Sequence, residues 1–134
     1  MRSPIEYLIG LLLALAVAGL TTAVGFTRDR SFYPVVAIVV AHYYVLFAAV
    51  GASGRIVAIE TAVACVFLLV AVLGFKTSLW WVTAAIAGHG VFDFFHHLWI
   101  DNPGVPRWWP GFCMTFDVVF AAWMAGQRLT QKRA

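Results

Sequence analysis

Five apolar runs follow one another along the chain, separated by short polar breaks. Each approaches the roughly 20 residues that a helix needs to cross a bilayer. The first extends from Ile5 to Phe26 and stops at Arg28-Asp29-Arg30. The second, Phe32 to Val50, opens with Pro34 in its first turn, where a missing N–H costs nothing; Gly51-Ala52-Ser53-Gly54-Arg55 breaks it. The third covers Ile56 to Phe75 and is stopped by Lys76. The fourth covers Ser78 to Ile100 and runs into Asp101-Asn102-Pro103-Gly104, a strong turn signal. The fifth begins near Trp109 and fades at Gly126-Gln127-Arg128.

This pattern predicts an all-α, polytopic membrane helix bundle of five transmembrane helices in a single domain, 1–134, or of four if the last does not fully span. Arg2 ahead of an apolar run and the Ala16-Val17-Ala18 triplet imitate a secretory leader. The run is longer than the apolar core of such a leader, so it is read as a retained helix. The small residues Ala14, Ala18 and Gly51 to Gly54 would let helices approach closely.

Composition agrees. Of 134 residues, 63% are hydrophobic and 11% charged, against roughly a quarter charged in a soluble domain, and mean hydropathy is +0.89. A chain this short cannot bury so much apolar surface within itself, which excludes a soluble monomer. Disorder needs the opposite composition, and two cysteines cannot make a disulfide scaffold. The net charge of +3 does not point to nucleic acid, because the nine Lys and Arg sit singly between apolar runs. With five spans, Arg2, Arg55 and Arg107 fall on one side, and Arg28, Arg30, Lys76, Arg128, Lys132 and Arg133 on the other. Positive residues favour the cytoplasm, so the N-terminus is expected outside and the C-terminus inside, in the plasma or inner membrane. Aromatic belts fit both interfaces: Phe32, Tyr33, Trp80 and Trp81 inside, Tyr7, Trp99, Trp108 and Trp109 outside.

The candidate chemistry lies in ionisable residues within these runs, which are costly in a bilayer and functional by default. They are His42 in the second run, Glu60 in the third, His89, Asp93, His96 and His97 in the fourth, and Asp117 in the fifth. At a helical rise of about 1.5 Å per residue, Glu60, Asp93 and Asp117 fall roughly 6–11 Å from the outer ends of their helices, with His42 and His89 at roughly 12–17 Å. Antiparallel helices thus bring their polar residues to the same half of the membrane. Within the fourth run His89, Asp93 and His96 share a stripe at i, i+4 and i+7, with His97 at its edge. Imidazole and carboxylate on one face are donors for zinc or iron, and bundles build metal sites from such inward-facing residues. The expected metal set is His89, Asp93 and His96, with His97 and His42 as further candidates. Glu60 and Asp117 are candidate catalytic bases, further ligands, or supports for a ligand imidazole. The structural alternative is a set of side chains that hydrogen-bond the bundle together. Cys113, four residues before Asp117 and so on its face, is a candidate soft ligand, with a buried thiol as the stronger reading; Cys65 reads as packing and Glu6 as an interfacial residue. Walker, GxSxG, CxxC and dinucleotide-binding motifs are absent from the sequence.

The stretch His89-x-x-x-Asp93-x-x-His96-His97, followed by Asn102-Pro103, Pro106, Pro110, Cys113 and Asp117, resembles the small multi-spanning proteins of domain-of-unknown-function family 6010. The likeness is carried by the C-terminal third; the remainder agrees in size and hydropathy. It implies that these residues matter without naming a reaction. The same string is similar to the histidine boxes of membrane fatty-acid hydroxylases and desaturases, but Asp93 stands where those have histidine and the chain has too few histidines.

The leading expectation is a metal-dependent enzyme, a hydrolase or oxidoreductase, that uses zinc or iron near the outer leaflet on a lipid or other apolar substrate. Alternatives are a proton- or cation-coupled carrier, which at this length would be a homo-oligomer, and a bis-histidine haem protein using His42 and His89.

Overall fold

The computed structural model describes residues 3–131; Arg2, Lys132 and Arg133 of the charge argument lie outside them. Five helices follow in chain order: α1 Pro4–Val24, α2 Phe32–Gly51, α3 Gly54–Lys76, α4 Leu79–Trp99 and α5 Trp109–Gln131. Serines start three of them. The hydroxyls of Ser3, Ser53 and Ser78 accept from the N–H of Ile5, Ile56 and Trp80 at 3.3, 3.4 and 3.3 Å, each satisfying a donor that the first turn leaves free. Helix α1 ends at Gly25, whose φ of +96° places it in the left-handed region that glycine enters without a Cβ clash. A short 3-10 turn, Phe26–Arg28, then leads to α2. In this connection the Asp29 carboxylate accepts from the Ser31 N–H and hydroxyl at 2.9 and 2.7 Å, which holds its carboxyl below the usual range.

Helices α1, α2 and α3 are each long and apolar enough to cross a membrane. Helices α4 and α5 have comparable lengths, 21 and 23 residues, and carry most of the polar groups. Large side chains on the outside of the bundle are apolar, among them Leu12, Leu20, Leu46, Leu69, Phe94 and Leu98. An apolar exterior of this extent is one that a membrane or another protein would cover.

Helix α4 is central, packing on α5, α3 and α2, while α1 leans on α5. Small residues make the seams. Glu6, Gly10, Ala14 and Ala18 form the buried stripe of α1; at Gly10 a Cβ would run into the Phe112 carbonyl of α5. Ala14 and Ala18 thus serve the close approach their size predicted. On α3, Gly74 lets α4 in, since a Cβ there would lie 2.6 Å from a Val82 methyl. The interior has two ends. Tyr33, Ala37, Ala71, Leu79, Val82, Ile86, Phe120 and Met124 fill one with apolar side chains, whereas the buried ionisable groups of α3, α4 and α5 occupy the other.

Candidate metal centre

Two polar cells lie within the bundle, on either side of Tyr44. In the first, α4 presents His89 and Asp93 one turn apart, and α5 presents Cys113 and Asp117 with the same spacing. The helices can approach because Gly90 sits between them: a Cβ there would meet the Asp117 Cβ and a Val118 methyl at 3.1 Å. The Nδ1–H of His89 donates to Asp117 Oδ2 at 2.7 Å, with Asp93 Oδ2 3.4 Å from the same nitrogen. The Cys113 thiol points at Asp117 Oδ2 from 3.9 Å. One ligand atom from each of His89, Asp93, Cys113 and Asp117 lies within 4.8 Å of all the others, and all four residues are buried.

In the second cell His96 Nε2–H donates to Glu60 Oε1 at 2.7 Å. The same oxygen accepts from Asn102 Nδ2 at 2.9 Å, and Asn102 also reaches the Tyr44 carbonyl at 3.2 Å. The Tyr44 ring stacks on His96, centroids 3.9 Å apart and 10° from parallel, and stands 6.0 Å from the His89 ring. Phe67 and Phe92 close around the imidazoles, each within 6 Å of His89.

The hydrogen bonding of this region is incomplete. Both oxygens of Asp93, Oδ1 of Asp117, Oε2 of Glu60, Nε2 of His89 and the Tyr44 hydroxyl are buried with no hydrogen-bond partner. Each such group carries a desolvation cost of a few kcal/mol. Three of these atoms are carboxylate oxygens of the first cell, so the deficiency is one that a cation would relieve.

Two openings reach these cells. An apolar cleft of about 600 Å³ lies between α1, α2 and α5, walled by Leu13, Val36, Tyr43, Trp109 and Phe116, and Cys113 forms part of its lining. At the end of α4 a smaller, more polar recess of about 250 Å³ is lined by His96, His97, Asp101, Asn102 and Arg107.

The structure therefore brings His89, Asp93 and Asp117 into one cell and pairs His96 with Glu60 in the next. It does not bring in His42, whose Nδ1–H donates to the Ile38 carbonyl of its own helix at 2.7 Å. His97 is exposed at the polar recess. Cys113 joins the donor group, its i, i+4 relation to Asp117 having been the available signal. Tyr44, two residues after His42, separates the two cells. Asn102, read as a turn residue, anchors Glu60, and no periodicity could have shown it. Cys65, expected to pack inside, is exposed on α3, and Glu6, in the first turn of α1, is buried. Comparison with family models, with curated proteins and with solved structures returns no match.

Proposed function

We propose that this chain is a five-span protein of the plasma or inner membrane, N-terminus outside, that holds zinc or iron at His89, Asp93, Cys113 and Asp117 and acts as a metal-dependent enzyme on a lipid or other apolar substrate. The observation that carries the reading is the four-donor group itself: imidazole, thiol and two carboxylates within 4.8 Å in a buried interior, with Oδ1 of both Asp93 and Asp117 left without a partner. Sulfur and imidazole among the donors favour zinc or iron over magnesium or calcium. A zinc ion with an open position supplies a water of pKa about 7, hence hydroxide at neutral pH.

The protein's own groups fit the remaining tasks. His89 Nδ1 and Asp117 Oδ2 stand 2.7 Å apart, so a metal held by both would take the place of the proton they share. Glu60 and His96 form a proton-accepting pair behind the Tyr44 ring. The apolar cleft that ends at Cys113 gives an alkyl chain lateral access, and the polar recess beside His96 gives water a separate one. Kinship with domain-of-unknown-function family 6010 belongs to the same proposal and rests on the His89-to-Asp117 pattern.

Elemental analysis of the purified full chain, loaded with zinc and dialysed, is expected to give about one ion per chain. Asp117→Asn and Cys113→Ser should each weaken retention by more than the roughly 10–100-fold that loss of a supporting group costs, while His42→Ala retains the ion. A wild-type protein that keeps no metal would sink the proposal. The succession Asp117, His89, Asp93, Tyr44, His96, Glu60 favours one second reading, a proton-coupled carrier. Flux in proteoliposomes that Asp93→Asn abolishes, in protein free of metal, would establish it instead.

A further inference from the structure

A further carboxylate with an unpartnered oxygen lies outside both polar cells. Glu6 is in the first turn of α1 and only 8% exposed, and its Oε1 is buried with no hydrogen-bond partner. It fits against the first turn of α5 because residue 111 is glycine: a Cβ there would lie 2.6 Å from that oxygen. Beside it runs a groove of about 580 Å³, lined by Glu6, Ile9, Leu13, Trp108, Trp109 and Phe112 among others. The three aromatic rings contact one another, with centroids 5.7 Å apart for Trp108–Trp109, 5.8 Å for Trp108–Phe112 and 5.3 Å for Trp109–Phe112.

A carboxylate beside clustered aromatic faces is the chemistry that recognises an organic ammonium group, through ion pairing and cation–π attraction together. Below the carboxylate the groove continues along Ile9 and Leu13, one and two turns further down α1, so the ligand that matches it joins an ammonium head to an alkyl tail. We propose that Glu6, Trp108, Trp109 and Phe112 bind the ammonium headgroup of a zwitterionic phospholipid, with an acyl chain along α1. This site rests on the membrane reading but is independent of the metal.

The test uses the full chain in detergent and measures lipid retention by native mass spectrometry. The probes are dioleoyl phosphatidylethanolamine, dioleoyl phosphatidylglycerol and free ethanolamine. Phosphatidylethanolamine is expected to be held at least about tenfold more tightly than either of the others. Glu6→Gln should remove that preference while leaving zinc content unchanged. Trp108→Leu, at a position 52% exposed and so tolerant of replacement, should weaken it without loss of fold and serves if Glu6→Gln is unstable. Equal retention of phosphatidylglycerol, an unchanged preference in Glu6→Gln, or free ethanolamine binding as tightly as the lipid would each overturn the proposal. So would a Glu6→Gln protein that melts lower when the wild type shows no preference, since Glu6 would then only lock α1 onto α5.

Discussion

Asn102 shows how much a single side chain can hold. Its amide joins the loop after α4 to Glu60 and to the Tyr44 carbonyl, and its Oδ1 accepts from the Gly104 N–H at 3.1 Å. Asn102→Ala should cost about 1–3 kcal/mol, the range for buried polar groups left unpaired, read as a lowered melting temperature in detergent. Asn102→Asp should cost more, because it sets a second carboxylate against Glu60 Oε1. Gly90→Val is a different kind of change, since it forces α4 and α5 apart at Asp117. An overpacking penalty of about 1–3 kcal/mol is expected, together with loss of zinc retention. The face shared by His89, Asp93 and His96 could be read from helical spacing alone. That His89 turns to Asp117 while His96 turns to Glu60 could not, because the pairing depends on which helices flank α4.

The helix limits were more legible than the contacts, since glycine, proline and serine act locally. The four breaks expected at Arg28–Arg30, Gly51–Arg55, Lys76 and Asp101–Gly104 each fall at an observed connection, although Gly51, Gly54 and Lys76 are themselves terminal residues of helices and Arg55 lies in the first turn of α3. The last helix runs past the expected fade at Gly126–Arg128 to Gln131; the Arg128 guanidinium lies over the Tyr33 ring, 5.3 Å from its centroid, which ties this turn to the start of α2. Arg30 plays a similar part at the end of α3. Its Nε donates to the Phe75 carbonyl at 2.9 Å, and its Nη2 to Gly74 and Thr77 at 3.1 and 3.3 Å. These are terminal carbonyls that the helix cannot satisfy itself, at the end where a cation is favoured. Arg30→Ala should therefore lower stability by about 1 kcal/mol, with metal retention untouched, as thermal melts and elemental analysis on the same sample will show.

The bundle as a body divides into an apolar end and a polar end, and that division was foreshadowed by depth arithmetic on antiparallel helices. What the arithmetic could not supply was the order of packing, with α4 at the centre and α1 leaning on α5. The exposed position of Cys65 gives a direct check on the lipid environment. It lies eleven residues from each end of α3, roughly 16 Å by helical rise. A charged, water-soluble maleimide should leave both Cys65 and the buried Cys113 unlabelled in vesicles and label both after denaturation; rapid labelling of Cys65 in intact vesicles would contradict a spanning α3.

One oxygen, Glu60 Oε1, receives both His96 and Asn102. The segment joining α4 to α5 and the imidazole next to Tyr44 are therefore fastened to a single pin. Lengthening or redesigning that connection cannot be treated as cosmetic surgery on a surface loop, because tension on Asn102 is passed directly to the bond that His96 makes.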